Sequence, residues 1–485
     1  MKKGVTADSS TLFASRIVIS LSNLLFIPLL TKNLSVAEYG VWAQLWEAIP
    51  FLSALLLIGF DESMSRFFPS MKRKHYSRDF LSLMVPIIAI STLATLLIYA
   101  FSSPISTTLF NDNESVVRYL AVIVFIWTMD YAFYAFIRSL RKIRIYSILI
   151  ILQNVFEMGL AVTFVMMGRG VTGAIFAILI TRVGIMLISF GILMDLITIS
   201  LPSFENIRKY AVYGIPTLPM AISIWVLSSF DRYMIAIFLS TKEVGYYSPA
   251  YTIGQSIPFL LFGVFYFTLT PYLSGLYDKN DITNVKRTLS FMMKMALVIN
   301  IPYIFGSFAI SRPLLEILST ETIAANSYKI LPIVSIGVSF LSFKMILSQT
   351  WMLEKKTYKV GASYTFAAVL NIVLNYILIP IYGIWGAAIA TMIAYGFDLV
   401  ITLLWSNREL LPSVEMKGIF KITASSAILY TVIYLFHEFT PLLRVPLSIS
   451  FGLLAYVFLL RALKIFNAFE KEELKEIRFI NKILR

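Results

Sequence analysis

Ten ionisable side chains lie inside stretches that are otherwise apolar. Arg16, Arg182, Arg232, Lys294 and Lys344 are basic; Glu47, Asp130, Glu157, Asp231 and Asp398 are acidic. Guanidinium and ammonium groups are the donors that hold phosphate or diphosphate. Carboxylates beside them can take up a proton or a sodium ion. The plainest case is the stretch 215–239, which is apolar, about long enough to cross a bilayer at ~1.5 Å per residue, and interrupted by Asp231-Arg232. An ion at that depth costs several kcal/mol. Adjacent residues point roughly 100° apart on a helix, so the two are expected to neutralise each other poorly. Each should then seek water, a ligand, or a partner on another helix. The alternative is a packing ion pair between helices, such as Glu157 with Arg182 across a helical hairpin.

Composition sets the environment. The chain has 485 residues, 58% of them hydrophobic and 14% charged, which fits a polytopic membrane protein. It has no cysteine, which excludes disulfides, thiolate metal sites and cysteine nucleophiles. His75 and His437 are the only histidines, and both fall in connecting segments. Neither a zinc site nor a histidine relay is expected, and no metal or cofactor is called for.

The formal net charge is +14, and its distribution decides its meaning. Lys2, Lys3, Lys72, Arg73, Lys74, Arg141, Lys142, Lys286, Arg287, Lys355, Lys356 and the C-terminal cations fall on one side of the expected crossings. Lys32, Arg169, Lys242, Arg312 and Arg444 fall on the other. That bias assigns both termini to the cytoplasm in a multi-pass protein of the cytoplasmic membrane. The charge is a topology signal and not a nucleic-acid footprint. The N-terminal apolar run contains Arg16 and lacks a small-residue cleavage site, so it is expected to be retained as the first crossing.

The elements that must position these charges are fourteen expected helices. They cover 11–33, 41–60, 80–102, 116–137, 146–167, 173–195, 213–239, 244–270, 288–311, 328–352, 360–380, 385–405, 419–436 and 443–463. No connecting loop exceeds about twenty residues, too little for a catalytic domain. The tail from 464 to 485 repeats apolar residues every three or four places among lysines and glutamates. It is expected to be an amphipathic helix on the cytoplasmic leaflet or on the cytoplasmic loops.

Three short strings recur in order, displaced by roughly 210 residues. Ser35-Val36-Ala37-Glu38-Tyr39-Gly40 returns as Ser240-Thr241-Lys242-Glu243-Val244-Gly245. Ile49-Pro50-Phe51-Leu52 returns as Ile257-Pro258-Phe259-Leu260, and Gly170-Val171-Thr172-Gly173-Ala174 as Gly383-Ile384-Trp385-Gly386-Ala387. The reading is two parallel six-helix lobes, 1–209 and 210–418, related by a pseudo-two-fold axis, followed by two helices over 419–463 and the tail. Ser-x-x-Glu is a capping box. Pro50, Pro216, Pro219 and Pro258 are candidate hinges, because proline breaks the helical ladder. Gly168 to Gly173 matches a dinucleotide-binding pattern but follows an apolar helix rather than a strand, so that reading is rejected.

With Ser15-Arg16, Ile27-Pro28-Leu29-Leu30, Ser35 to Gly40, Gly59 and Arg66 at one end, the sequence resembles the polysaccharide-biosynthesis flippases of the multidrug/oligosaccharidyl-lipid/polysaccharide exporter superfamily. Asp231-Arg232-Tyr233, Gly245-Tyr246-Tyr247, Asn371, Asn375, Ile379-Pro380 and Gly383 extend the resemblance over the chain. It implies an all-α bundle like that of the multidrug extrusion proteins, working by alternating access. It also implies movement of a polyprenyl-diphosphate-linked oligosaccharide from the cytoplasmic to the outer leaflet, with H⁺ or Na⁺ as coupling ion. The five cations would hold the diphosphate, and one or two of the five carboxylates would serve coupling or neutralise charge. Other membrane proteins of glycan assembly are the expected partners.

Three rivals stand beside this reading. A lipid-II-type flippase shares the architecture. A multidrug or cation antiporter would need acids in an aromatic pocket and few buried cations. A membrane glycan polymerase or ligase would be an enzyme and would need a sizeable outer loop.

Overall fold

The computed structural model describes residues 18–466 and 470, except for the side chains at 259–262, 264, 265, 267 and 268. Arg16 and the tail beyond 470 lie outside the described residues. Those described form helices joined by short turns, with no strand among them.

The first helices are α1 (Val18–Thr31), α2 (Val36–Leu56), α3 (Phe60–Phe67), α4 (Arg73–Ala100) and α5 (Ser102–Leu109). The capping box expected at Ser35 is present: its side chain accepts from the Glu38 N–H, and the Glu38 carboxylate accepts from the Ser35 N–H at 2.9 Å. Two otherwise unsatisfied groups at the helix start are thereby paired. Pro50 sits inside α2 without ending it. The chain bends instead by 60° between α2 and α3, where Gly59 has φ +73°. A left-handed residue stops a helix more sharply than a proline whose ring the helix can accommodate.

Next come α6 (Glu114–Ser139), α7 (Ile143–Phe164) and α8 (Gly170–Leu196). The apolar stretch Ile143–Leu196 is 54 residues long, far more than the ~20 one crossing needs. It divides at Gly168 (φ +78°) and Gly170 (φ +57°), and α7 packs back along α8 as a hairpin. The stretch Phe204–Phe238 is built from shorter pieces: α9 (Ile207–Gly214), α10 (Leu218–Trp225) and α11 (Asp231–Phe238). Pro216 lies in the tight turn Ile215–Thr217 between α9 and α10 and Pro219 in the first turn of α10, and a wide turn over Val226–Phe230 precedes Asp231.

The rest of the chain forms α12 (Thr241–Tyr277), α13 (Ile282–Leu318), α14 (Glu321–Ser327), α15 (Ile330–Leu347) and α16 (Gln349–Leu353). After them come α17 (Thr357–Tyr382), α18 (Ile384–Trp405), α19 (Met416–Tyr434) and α20 (Pro441–Ala462). Pro258 lies within α12. Asp281 caps α13. The side-chain amide and backbone N–H of Asn284 hold the Asp281 carboxyl below its ordinary range. Among the described residues, ten stretches are long and apolar enough to cross a membrane, or eleven if α2 and α3 form one broken span. The chain is therefore a multi-pass helical membrane protein. The sequence-based expectation of fourteen crossings counts the Ile143–Leu196 hairpin as two and includes α1 and α12.

The helices group into two compact units. One holds the chain up to Pro249 together with Ala368–Ala387; the other holds Ala250–Ala367 and the chain from Ala388 onward. The first has a core of Phe60, Met64, Phe68, Phe80, Phe136 and Tyr210. The second is built around α13, with Leu289, Met292 and Ala296 against Ile346 and Leu347, and Ile310 with Ile422, Ile433 and Tyr456 on another flank. These units are cut differently from the division at 209/210 drawn from the repeat.

The repeat itself reaches further in the backbone than in the sequence. Gly170 and Gly383 both have positive φ, +57° and +62°. So do Arg141 (+59°) and Lys355 (+61°), which share no residue type. Each of these two turns is closed in the same way, Lys142 N–H to Ile137 O at 3.2 Å and Lys356 N–H to Trp351 O at 2.8 Å.

Candidate functional site

Among the described residues, eight of the ten intramembrane charges fall into three clusters. In the first unit, α10 and α11 are held against α2 by polar links. The Tyr233 hydroxyl donates to the Gln44 carbonyl at 2.6 Å, and the Trp225 indole N–H to the Glu47 carbonyl at 3.1 Å. The Trp225 ring stacks on Phe51. Between these anchors, Ser229 donates to Glu47 Oε2 at 2.7 Å, and Arg232 Nη2 lies 3.8 Å from Glu47 Oε1.

Asp231 and Arg232 do pair, contrary to the expectation from their adjacency. Arg232 Nη1 lies 3.3 Å from Asp231 Oδ1, and the Arg232 backbone N–H donates to that same oxygen at 2.8 Å. The long guanidinium stem folds back over its own turn, which an argument from Cβ directions alone misses. The Ser228 carbonyl takes another Nη1 hydrogen, and Tyr247 donates to Asp231 Oδ2. Arg232 is 2% exposed, whereas the Glu47 side chain is 32% exposed, so Glu47 is the accessible edge of this cluster.

The second cluster joins α6, α7 and α8. Arg182 Nε donates to Glu157 Oε1 at 2.7 Å, the hairpin pairing weighed from sequence. Its Nη1 reaches Asp130 Oδ2 at 3.6 Å, too long for a hydrogen bond. The guanidinium lies over the Trp127 ring, 3.0 Å from its centroid. Gln153 links Tyr134 to Glu157, donating to the acid and accepting from the phenol. A cavity of about 250 Å³ opens onto Arg182 and Glu157, lined also by Asn23, Trp46, Trp127 and Gln153. Two carboxylates face one guanidinium in a place almost closed to solvent. If both acids are ionised, one negative charge in the cluster is uncompensated.

The third cluster is in the second unit. Lys344 on α15 lies 3.1 Å from Asp398 on α18 and over the Tyr364 ring; both charged side chains are 1% exposed. Here one cation faces one acid. In sequence this pair lies roughly 215 residues beyond Asp130 and Arg182, with the charges exchanged. Sequence reasoning picked out all four residues and missed the correspondence, because charge reversal hides a repeat from any search for identity. Their shared offset was the available signal.

Of the five expected phosphate-binding cations, Arg16 lies outside the described residues. Arg182, Arg232 and Lys344 each meet an acid from the expected set, while Lys294 meets Glu470, at 2.7 Å. Tyr247 and Tyr251 are fully buried. Among the described residues no three His, Cys, Asp or Glu converge as metal ligands.

A helical bundle of this kind, with paired ions in its interior, defines a multi-pass membrane protein. Its backbone is similar to that of the lipid II flippase MurJ in an inward closed conformation, with a TM-score of 0.75, 18% identity, and coverage of 94% of this chain and 99% of that one. That likeness establishes the fold. The family model for polysaccharide biosynthesis proteins matches residues 5–277, and the chain belongs to that family. A second model, MatE, matches residues 216–377.

Two curated relatives are similar over part of their length. A probable low-salt glycan biosynthesis flippase, Agl15 of Haloferax volcanii, is 26% identical over 53% of this chain and 54% of its own. A probable lipid II flippase, MurJ of Thermotoga maritima, is 26% identical over 57% of this chain and 56% of its own. The chain thus spans about half the length of the curated relatives it matches.

Proposed function

We propose that this protein is an alternating-access flippase that carries a lipid-linked oligosaccharide from the cytoplasmic to the outer leaflet. It would serve cell-surface glycan synthesis without making or breaking bonds. Its membership of the polysaccharide biosynthesis family supports the substrate class. The observation that carries the mechanism is Arg232, a guanidinium inside an apolar bundle beside a carboxylate, Glu47, that remains partly exposed. A diphosphate brings two or more negative charges and matches the planar donor fork better than one loosely placed acid does. On this reading the headgroup displaces Glu47 and takes Arg232. Arg182 lines a cavity and is the second candidate clamp. The surplus acid of the Asp130–Glu157–Arg182 cluster takes the coupling H⁺ or Na⁺. Both termini face the cytoplasm, as the lysine and arginine bias requires.

The test is leaflet exchange of a polyprenyl-diphosphate oligosaccharide in proteoliposomes. The natural chain should exchange it, and absence of exchange sinks the flippase reading. Arg182→Gln and Arg232→Gln, each checked for folding, should slow exchange about tenfold or more, the loss expected for one charge-assisted hydrogen-bonding group. Unimpaired exchange in both defeats the clamp while leaving the flippase reading intact. A cation antiporter is the second reading, favoured by the MatE match and by the acid surplus around Arg182. Uptake of cationic dyes by the same proteoliposomes would support it.

A further inference from the structure

A cavity of about 350 Å³ opens in the first unit where four helix ends meet: α4 and α7 start beside it, and α6 and α8 end there. Arg73, Arg141 and Lys142 line it, and among the described residues no acid does. Arg73 is partly used, since its Nη2 donates to the Asp195 and Ile197 carbonyls at 2.5 and 3.1 Å, at the end of α8. Nε and Nη1 still have hydrogens to give. Arg141 and Lys142 are exposed and, among the described residues, have no side-chain partner. Lys72 and Lys142 stand at the N-caps of α4 and α7, where no side chain accepts from the free N–H groups. The positive ends of two helices therefore add to three cations.

The same turn is built twice, and the second copy shows how such cations are neutralised when nothing is to be bound. Leu140-Arg141-Lys142 corresponds to Glu354-Lys355-Lys356, with Arg141 and Lys355 both left-handed. In the second unit Glu354 Oε2 lies 3.0 Å from Lys356 Nζ, and Glu354 Oε1 accepts from Asn407 at 2.9 Å. In the first unit Leu140 takes the place of that acid, and the cavity keeps its positive charge.

We propose that this cavity binds a phosphate group, held by Arg73, Arg141 and Lys142. Guanidinium and ammonium donors suit phosphate oxygens, and the unmatched positive charge calls for an anion. All four helices belong to membrane-crossing stretches, so the cavity lies at headgroup depth, where the bilayer itself supplies phosphate. Soluble phosphate meets the same donors from the water side, and competition separates the two sources. Arg182 is roughly 20 Å from Leu196 along α8, so the site is distinct from the proposed clamp and its test does not depend on flipping.

The experiment is native mass spectrometry of the full chain, delipidated, titrated with phosphatidylglycerol and then challenged with millimolar inorganic phosphate. Arg141→Gly removes one cation and suits the left-handed turn, so the unfolding midpoint should hold while lipid retention falls roughly fivefold. Lys142→Gln should lower retention by a similar factor. Lys355→Gly makes the matching change beside Glu354 and should retain phosphatidylglycerol as the natural chain does. With that order of variants, bound lipid that resists inorganic phosphate assigns the cavity to a headgroup, and bound lipid that is displaced assigns it to free phosphate as well. A natural chain that retains no phosphatidylglycerol overturns the proposal, as does equal retention in the natural chain, Arg141→Gly and Lys142→Gln. An equal loss in Lys355→Gly also overturns it, because net charge and not this cavity would then be the cause.

Discussion

Gly40 and Gly245 close on each other where α2 and α12 begin. A methyl on Gly40 would strike the Thr241 carbonyl, and a methyl on Gly245 would strike the Val36 carbonyl. Gly40 corresponds to Gly245 in the repeat, and Val36 to Thr241. The contact is therefore self-complementary, as a two-fold relation demands. Absence of a side chain at two matched positions lets the backbones meet.

Gly40→Ala should accordingly loosen this contact rather than unfold the protein. Overpacking costs about 1–3 kcal/mol, enough to shift a two-state equilibrium by roughly 5- to 150-fold. The natural chain has no cysteine, so Val41→Cys supplies a single buried reporter nearby. Its labelling by a membrane-impermeant maleimide should rise in Gly40→Ala and also in Gly245→Ala. Unchanged labelling in both variants would show that the two helices do not part here.

Gly59 should tolerate substitution less well than Pro50. It holds φ +73°, and a methyl there would meet the Gly214 backbone. The left-handed conformation alone costs a residue with a side chain about 1–2 kcal/mol. Pro50→Ala restores a backbone donor within a helix that already runs through that position. Thermal unfolding should show a lower midpoint for Gly59→Ala and little change for Pro50→Ala. The reverse order would put the bend back at the proline.

Much of this was legible before any coordinates. Hydropathy placed the apolar stretches, and Ser35 with Glu38 announced the start of α2. Pairing was harder to read. Glu157 and Arg182 were within reach because a short turn at 168–170 forces a hairpin. Lys344 and Asp398 sit on helices separated by α16 and α17, so nothing local joins them. The turns at Arg141 and Lys355 were hidden because neither uses the glycine that normally marks positive φ. Pro50 lies inside a helix that continues past it, and the 60° bend between α2 and α3 falls at Gly59.

The exchanged pair can be tested by removing it in steps. Lys344→Met leaves Asp398 as a lone buried charge and should cost about 3–5 kcal/mol. Lys344→Met/Asp398→Leu removes both charges and should recover most of that loss, since a buried ion pair adds little over well-packed apolar residues. Unfolding midpoints in one detergent give the comparison. A double variant no more stable than Lys344→Met would mean that the two side chains are not each other's main partner.

Asp130 and Glu157 share Arg182 unequally, and their neutral replacements should differ in kind. Glu157→Gln takes away the acid at 2.7 Å and leaves the guanidinium only Asp130 at 3.6 Å. Losing a charge-assisted hydrogen bond of that type costs about 1.5–3 kcal/mol, so the unfolding midpoint should fall. Asp130→Asn keeps the short bond and leaves one acid against one cation, the balance found at Lys344 and Asp398. It should fold with little penalty, yet transport should no longer respond to an imposed H⁺ or Na⁺ gradient. The groups around the cluster, Trp127, Tyr134 and Gln153, carry no charge that could restore the missing site. Gradient-driven exchange that persists in Asp130→Asn would move the coupling site elsewhere, with Asp231 beside Tyr247 the next acid to neutralise.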